Sequence, residues 1–335
     1  MTLTTGKPLL QVTNLKVHFK LKRETWFSEP NFVHAVDGVS LNIKKGQTVG
    51  LVGESGCGKT TTGRALLGLV KPSGGHVLYN DSDIITAKAE KMLALRKEMQ
   101  IIFQDPYSAL NPRQTAGEIV MDPLLVHGIG TSKERKQRSE DLFAMVGLRK
   151  NQLALYPHQF SGGQRQRICI ARALALSPKF IVCDEPVSAL DVAIQAQVLN
   201  LLCKLQDELS LTYLFISHDL AVVQHMCDEI AVMYLGVIVE KANRKSLFDN
   251  PRHPYTRALL SAVLTSEHDK KTERIRLEGD IPSPINKPSG CRFRTRCKHA
   301  QQICSELEPV LEEKSPGHFE ACHFDTTSSG GLEFR

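Results

Sequence analysis

The chain has 335 residues, of which 41% are hydrophobic and 23% charged, and its formal net charge is +6. This length suits about two domains of a soluble globular protein. The N-terminus lacks a basic region followed by an apolar run, and no stretch approaches about 18 consecutive apolar residues, so we expect neither a secretory signal nor a membrane-spanning helix. A reducing compartment follows, which disfavours structural disulfides. Basic residues are scattered and not interleaved with aromatic residues, so nucleic acid is not an expected partner.

Strands and helices alternate through the first 265 residues. Residues 9–19 alternate apolar and polar side chains, as a half-buried strand does. Further strands are predicted at VSLNI, TVGLV, MQIIF, FIVCD, TYLFIS and EIAVMYLG, and helices at TTGRALLGLV, VAIQAQVLNLLCKLQDEL and 254–264. Residues from about 106 to 165 read as a helical subdomain. The alternation predicts an α/β fold with a largely parallel sheet covered on both faces.

A glycine-rich loop follows the TVGLV strand and opens a helix. Its sequence, GESGCGKT at 53–60, matches G-x-x-x-x-G-K followed by Ser or Thr. In such a loop backbone N–H groups point at phosphate oxygens, Lys59 reaches the β- and γ-phosphates, and Thr60 coordinates Mg²⁺. The predicted nucleotide-binding residues are Gly53, Glu54, Ser55, Gly56, Cys57, Gly58, Lys59, Thr60 and Thr61.

A second acidic motif ends a buried strand. In KFIVCDEP (179–186) four apolar residues lead to Asp184, which is suited to supporting the Mg²⁺ ion. The adjacent Glu185 is the natural residue to orient and polarise the attacking water.

A third motif offers another anion site. In FSGGQRQR (160–167) Ser161 is the predicted N-cap of a helix, and Gly162 and Gly163 expose backbone N–H groups just before Gln164. One triphosphate does not need two such sites, so this turn is expected to serve a nucleotide held by a partner chain.

Together these motifs resemble the nucleotide-binding subunits of ATP-binding cassette (ABC) transporters, and the resemblance covers nearly all of the chain. The ordered set is GESGCGKT, FQDP, FSGGQ, IVCDEP, SALD and ISHD. The resemblance implies a mixed sheet core with a helical subdomain, and two subunits that sandwich two ATP molecules. It also implies roles for four residues: Gln104 senses Mg²⁺ and water, Asp191 lies in the loop at the dimer interface, His218 contacts the γ-phosphate, and Phe19 stacks on adenine, with Trp26 as a rival.

A narrower resemblance rests on NPRHPYTRALLSAV (250–263) and GDIPSP (279–284) together with the terminal cysteines. These segments are similar to dipeptide and oligopeptide permease ATPases, most of all the F-type subunits of dipeptide systems. That family implies an ATPase peripheral to the cytoplasmic face of the inner membrane. Its partners would be a second ATPase subunit, two integral permease subunits and an external peptide-binding protein. The expected cargo is a dipeptide or short peptide; nickel, haem or a modified peptide, or a soluble non-transport ATPase, are the alternatives.

The C-terminal extension, 266–335, contains four of the nine cysteines. They are Cys291, Cys297, Cys304 and Cys322. Few large apolar residues follow residue 280, so burial alone is not expected to order this segment, whereas a bound metal would. Four thiolates suit Zn²⁺ or an iron–sulfur cluster, and Arg292, Arg294, Arg296 and Lys298 could offset the charge of either. Similarity to peptide-permease ATPases with the same cysteine tail favours a 4Fe–4S cluster, with Zn²⁺ or unligated thiols as the alternatives.

Overall fold

The computed structural model describes residues 7–21, 31–262, 275–326 and 332–334. The chain divides into two compact units. Unit 1 is formed by the residues up to Ile43, by Val49–Ile85 and by the residues from Ser217 onwards. Unit 2 is formed by Lys44–Thr48 and Thr86–Ile216. The predicted boundary between 1–265 and 266–335 stays a prediction.

The described residues form strands β1–β14 and helices α1–α11. The strands are β1 Leu10–Lys20, β2 Phe32–Ile43, β3 Thr48–Val52, β4 Gly74–Tyr79, β5 Ser82–Asp83, β6 Met99–Ile102, β7 Phe180–Asp184, β8 Thr212–Ser217, β9 Glu229–Tyr234, β10 Val237–Asn243, β11 Glu312–Ser315, β12 His318–Glu320, β13 Phe324–Thr326 and β14 Leu332–Phe334. The helices are α1 Lys59–Leu66, α2 Ala89–Glu98, α3 Pro106–Ala109, α4 Ala116–Val126, α5 Ser132–Met145, α6 Gly162–Leu174, α7 Val192–Leu209, α8 Leu220–Met226, α9 Arg244–Asp249, α10 Pro254–Ser261 and α11 Ile303–Glu306.

Unit 1 contains an antiparallel sheet and a mixed set of strands. The antiparallel sheet has the order β2-β1-β4-β5. In the mixed set β3 pairs parallel with β9, and β9 pairs antiparallel with β10. The C-terminal extension adds two strands, because β12 pairs with β10 and β11 pairs with β12. The strand that leads into the glycine-rich loop and the strands of the extension therefore belong to one hydrogen-bonded framework.

Unit 2 contains the parallel strands β6, β7 and β8 and the helices α2–α7. Pairing is parallel between β6 and β7 and between β7 and β8. All five residues of β7 are buried, as are all six of β8. The apolar runs in the sequence correctly predicted such strands, since a parallel strand covered on both faces needs no polar alternation.

The predicted α/β architecture is confirmed, with differences at particular elements. Strand β2 starts upstream of the predicted VSLNI segment, and α10 ends at Ser261, three residues short of the prediction. The prediction missed β4, because Gly74 and Gly75 look like breakers. Gly75 has φ +90°, and a Cβ there would lie 2.3 Å from the backbone oxygen of Asn14. The glycine lets β4 approach β1 closely.

Burial contributes more to the C-terminal extension than the sequence predicted. Phe293 and Phe324 are 2% and 1% exposed, and Arg292 is 4% exposed. Two large aromatic side chains at this depth bury enough apolar surface to favour an ordered segment. Burial thus contributes to the order of the extension, and the expectation that burial alone would hardly order it stays a prediction.

Candidate functional site

The glycine-rich loop of unit 1 requires its glycines at defined positions. The fully buried strand β3 leads into Gly53, where a Cβ would lie 2.2 Å from the backbone oxygen of Met233. Gly58 has φ +108°, and a Cβ there would lie 2.0 Å from the backbone oxygen of Ala35. No other residue fits either position without moving backbone. The loop thus packs closely against the backbone of Met233 and Ala35 on one side, as a tightly folded phosphate-binding loop requires.

Lys59 begins α1 and points back into this loop. The side chain is 4% exposed, and Nζ donates hydrogen bonds to the backbone oxygens of Gly53, at 2.7 Å, and Glu54, at 3.0 Å. A buried ammonium beside a helix N-terminus is a favourable partner for phosphate oxygens. Burial raises the pKa of the Cys57 thiol in the same loop, although the charge of Lys59 opposes the rise. Cys57 is therefore a neutral loop residue.

Glu54 is held at both its backbone and its carboxylate. The backbone N–H donates to the hydroxyl oxygen of Tyr255 at 2.9 Å. The carboxylate accepts two hydrogen bonds from Arg296, Nη1 to Oε2 at 2.6 Å and Nη2 to Oε1 at 3.1 Å. The sequence analysis did not find these two partners, because contacts across 201 and 242 residues leave no local pattern.

Unit 1 also contains Phe19 and His218. Phe19 lies on β1, paired with Val33, and its side chain is 43% exposed. An exposed aromatic ring on this strand can stack on a base. His218 is exposed and directly follows β8, just before Asp219, whose carboxylate caps α8 through the N–H of Ala221 at 2.8 Å. The rival Trp26 lies outside the described residues.

Unit 2 brings Gln104 and Glu185 together. Nε2 of Gln104 donates to Oε2 of Glu185 at 3.0 Å. Both residues follow the carboxyl ends of neighbouring parallel strands, because β6 and β7 are in register at Ile102 and Cys183. Glu185 has φ +46°, and its N–H donates to the oxygen of Ile216 at 3.0 Å. This left-handed conformation in a non-glycine residue is typical of functional positions.

Asp184 precedes Glu185 and is almost inaccessible to solvent. It is 2% exposed at the end of β7. Because the rest of the side chain is buried, its carboxylate can reach an ion only at the end of the strand. Asp184 thus fits a supporting role at a Mg²⁺ site, and Glu185, half-buried and reached by Gln104, is the more accessible of the two.

The turn at Ser161 forms a capping box at the start of α6. The Ser161 hydroxyl accepts from the N–H of Gln164 at 3.4 Å, and the Gln164 side-chain oxygen accepts from the N–H of Ser161 at 3.0 Å. The predicted N-cap is therefore confirmed. Ser161 is exposed and Gly162 half-buried, while a Cβ at Gly163 would lie 2.4 Å from Cγ2 of Ile194. The box leaves an exposed helix N-terminus at which an anion can bind.

Asp191 is the N-cap residue of α7 and is exposed. Its side chain makes no capping hydrogen bond to the helix. The helix begins with an exposed Val192, which is 81% accessible. Asp191 and Val192 are thus both exposed, as the predicted contact with another chain requires.

The four C-terminal cysteines lie in one turn-rich segment and its neighbouring strands. The N–H of Cys291 donates to the oxygen of Cys304 at 2.8 Å. Burial, followed by the nearby thiols of Cys304 and Cys297, raises the pKa of Cys291 to about 11. Burial also raises the pKa of Cys322 to about 12, with further contributions from Glu320, Cys291 and Cys297. The thiols of Cys291 and Cys297 thus lie near those of Cys304 and Cys322.

Two of the basic residues near these cysteines have other partners. Nη2 of Arg292 donates to Oδ2 of Asp37 at 2.7 Å, and its Nε donates to Oε1 of Glu308 at 3.0 Å. Arg296 bonds to Glu54. The charges of both arginines are therefore matched by carboxylates, and their predicted role in offsetting the charge of a thiolate site stays a prediction.

Within the described residues, one set of three side chains has the spacing of a metal site: His18, His34 and Asp37. Oδ2 of Asp37 already accepts from Lys287 at 2.6 Å and from Arg292 at 2.7 Å. Burial raises the pKa of Asp37, but these hydrogen bonds outweigh it and hold the pKa well below the usual value. Two cations on one carboxylate disfavour a divalent ion, so this set is a salt-bridge cluster.

Among the described residues, no helix has both the length and the apolarity that crossing a membrane requires.

Two family models match the chain. The model described as "ABC transporter" matches residues 36–188, and the model described as "Oligopeptide/dipeptide transporter, C-terminal region" matches residues 239–304. The first match contains the glycine-rich loop, Gln104, the Ser161 turn and Glu185. The second match contains Tyr255, Arg296 and three of the four C-terminal cysteines, namely Cys291, Cys297 and Cys304.

Curated relatives match almost end to end. The chain is 50% identical over 326 residues to "Oligopeptide transport ATP-binding protein AppF" of Bacillus subtilis, covering 96% of this chain and 99% of the relative. It is 47% identical over 319 residues to "Dipeptide transport ATP-binding protein DppF" of Escherichia coli, covering 95% of each. A solved structure, the dimeric post-hydrolysis state of the ATP-binding cassette MJ0796 bound to ADP and Pi, matches with a TM-score of 0.62 and 30% identity. That match covers 70% of this chain and 98% of the other.

Proposed function

The chain belongs to the ABC transporter ATPases of the oligopeptide and dipeptide permease family, and on that premise we propose that it drives the import of dipeptides or short peptides. ATP hydrolysis is the activity of this family. Near end-to-end similarity to the ATP-binding proteins AppF and DppF, named for oligopeptide and dipeptide transport, supports a peptide cargo. The observation that carries the catalytic part is the hydrogen bond between Gln104 and Glu185 at the ends of two parallel strands.

The nucleotide-binding roles divide among the predicted residues. The loop from Gly53 to Thr61 binds the phosphates, with Lys59 as its cation and Thr60 as a ligand of Mg²⁺. Phe19 stacks on the adenine, and His218 contacts the γ-phosphate. Mg²⁺ supplies charge neutralisation of the phosphate oxygens when it is bound.

The catalytic roles fall on residues at the carboxyl ends of β6 and β7. Glu185 accepts the proton of the attacking water, since its carboxylate is accessible and neighbours an amide donor. Gln104 orients that carboxylate and would contact Mg²⁺ and water, while Asp184 would support the metal site from its buried position.

The Ser161 turn and Asp191 serve a nucleotide held by another chain. Ser161, Gly162, Gly163 and Gln164 present a helix N-terminus to solvent, and an anion there would be bound by backbone N–H groups. We infer a heterodimer with a second ABC ATPase subunit, in which each nucleotide lies between one phosphate loop and the opposite Ser161-type turn.

The remaining partners are two integral permease subunits and, indirectly, an external peptide-binding protein. The ATPase would be a peripheral subunit on the cytoplasmic face of the inner membrane. Transport of nickel, haem or a modified peptide by the same machinery is the alternative, and a soluble non-transport ATPase is a more distant one.

The four C-terminal thiols would hold a 4Fe–4S cluster. Their spacing in the sequence lacks the close C-x₂₋₄-C pairs that are usual in structural zinc sites, which supports the cluster over zinc. The chemistry that such a group supplies here is structural, because binding free energy adds to the stability of the extension.

Affinity purification of the tagged chain from its own membranes tests the transport assignment. We expect two integral membrane subunits and a second ABC ATPase to copurify, and ATP hydrolysis by the assembly to exceed that of the isolated chain. A chain that purifies alone and hydrolyses ATP at full rate would support the soluble ATPase instead.

A further inference from the structure

The turn between Cys291 and Cys297 directs three side chains into the rest of unit 1. These are Arg292, Phe293 and Arg296, and all three are buried. The turn itself is closed by hydrogen bonds from the N–H of Arg296 to the oxygen of Phe293, at 3.0 Å, and from the N–H of Arg294 to the oxygen of Cys291, at 3.1 Å. The cysteine segment therefore reaches the ATPase part of the chain through fixed, short contacts.

Phe293 anchors this turn in an aromatic cluster beside the phosphate loop. Its ring lies 5.3 Å from that of Tyr234 at 88°, and 5.4 Å from that of Tyr255. Edge-to-face packing of this kind holds the rings in one arrangement. Tyr255 in turn accepts the hydrogen bond from the N–H of Glu54. The turn and the loop thus share one buried support.

Arg292 adds a second anchor on the same side. Its Nη1 donates to the backbone oxygen of Leu235 at 2.7 Å, and its Nη2 to Asp37. Arg292 and Phe293 both anchor the start of the turn. The position of Arg296 is therefore set by their packing as well as by its own ion pair.

Arg296 then makes a bidentate ion pair with Glu54, the second residue of the phosphate loop. The side chain of Arg296 is 6% exposed and that of Glu54 25% exposed. Bidentate arginine–carboxylate pairs fix both the distance and the orientation of the carboxylate. The pair therefore holds Glu54 away from conformations in which its carboxylate would swing over the loop.

A negative charge in this loop opposes its task. The loop binds a triphosphate, and like charges separated by a few ångströms in a partly buried site repel strongly. The guanidinium of Arg296 cancels the charge of Glu54. It also helps to keep the loop backbone in its binding conformation, in which Nζ of Lys59 donates to the backbone oxygen of Glu54 at 3.0 Å.

We propose that Arg296, supplied by the C-terminal cysteine segment, is a positioning residue for ATP binding that acts by neutralising and orienting Glu54 of the phosphate loop. This inference rests on the proposed nucleotide-binding role of the loop. Arg296 contacts no reacting atom, so the expected effect is on ATP affinity and KM and not on kcat.

The test compares four full-length variants by equilibrium binding of ATP, and by KM and kcat in the assembled transporter. Arg296→Gln should weaken ATP binding about tenfold, or about 1.4 kcal/mol, with kcat at saturating ATP within about twofold of the wild type. Glu54→Gln should bind ATP at least as tightly as the wild type. The double variant Glu54→Gln/Arg296→Gln should return to within about twofold of the wild type, because no carboxylate is left unpaired.

Arg294→Gln is the matched control. Arg294 belongs to the same turn, is of the same residue type and bonds to Ser289, at 2.9 Å to the backbone oxygen, and not to the phosphate loop. Its substitution should leave ATP affinity unchanged.

Unchanged ATP affinity in Arg296→Gln would overturn the proposal. A double variant as weak as Arg296→Gln would also overturn it, since the arginine would then act by folding the turn. If Arg296→Gln alone does not fold, the same change is made in the Glu54→Gln background, where a loss of affinity greater than about twofold contradicts the proposal. A wild-type chain that neither binds nor hydrolyses ATP would instead refute the proposed function.

Discussion

The amide of Gln104 donates a 3.0 Å hydrogen bond to the carboxylate of Glu185, although 81 residues separate the two in the sequence. The contact follows from parallel pairing of β6 and β7, which brings both residues to one edge. Glu185 also has a left-handed backbone conformation, with φ +46°. The pair thus has the geometry of an oriented carboxylate that can act on water.

Glu185→Gln should bind ATP normally and hydrolyse it slowly. Loss of a general base costs about 10²–10⁴ in rate, whereas affinity for the nucleotide comes from the phosphate loop. Steady-state ATPase assays on the assembled complex, with ATP binding measured alongside, give the result. Turnover near that of the wild type would remove Glu185 from the catalytic role.

The Ser161 turn should matter for hydrolysis but not for ATP binding by the isolated chain. Ser161→Ala removes a hydroxyl that would donate to the proposed partner nucleotide, and preorganised donors of this kind contribute about 2.7–4 kcal/mol to a transition state. We expect a large loss of ATPase activity in the complex and unchanged ATP affinity in the monomer.

Thr131→Ala is the control for the loss of a helix cap, because Thr131 forms the same capping box with Glu134 at the start of α5. It should cost similar helix stability, about 1 kcal/mol, and leave hydrolysis intact. Equal loss of monomer ATP affinity in Ser161→Ala would mean that the turn serves its own chain.

The sequence predicted the local motifs well and the long-range contacts poorly. The glycine-rich loop follows a buried strand, and Ser161 stands three residues before Gln164. The geometry of each motif depends on residues that are close together in the sequence. The partners of Glu54 could not be predicted, because the bond to Arg296 depends on how β10 and β12 bring the extension back. Arg296 looked like a counter-charge for the cysteines since it is adjacent to Cys297 in the sequence.

His253 should make stability depend on pH in mildly acidic solution. Burial lowers the pKa of His253 from 6.5 to about 4, although Glu240 opposes the shift, and Nδ1 accepts from the N–H of Tyr255 at 3.1 Å. Between about pH 6.5 and pH 4 the unfolded chain binds a proton that the folded chain excludes, so the free energy of unfolding falls as the pH falls.

His253→Asn keeps an acceptor at the N-cap of α10 and cannot titrate. When the pH falls from 7 to 5, the free energy of unfolding of this variant should decrease by about 2 kcal/mol less than that of the wild type. Urea unfolding at the two pH values measures the difference. Identical pH dependence in both proteins would show that His253 is not excluded from protonation.

Cysteine substitution in the extension should remove iron and weaken ATP binding no more than Arg296→Gln does. Protein purified without oxygen should be brown and contain iron and acid-labile sulfide in similar amounts. Cys297→Ser should bleach it and make residues 266–335 more sensitive to protease, because metal binding contributes to folding. The control Cys203→Ser lies in α7 and should retain the colour. Colourless protein with stoichiometric zinc would contradict the cluster.

Peptide uptake into proteoliposomes bears on the whole mechanism at once. The vesicles contain the two permease subunits, the second ATPase and this chain, with ATP supplied on the side of the ATPases and a peptide-loaded binding protein on the other. We predict accumulation of dipeptide or short peptide that requires ATP and is abolished by Glu185→Gln. Accumulation that persists at the wild-type rate in Glu185→Gln vesicles, or the absence of any ATP-dependent peptide uptake by the wild-type assembly, would contradict the proposed function.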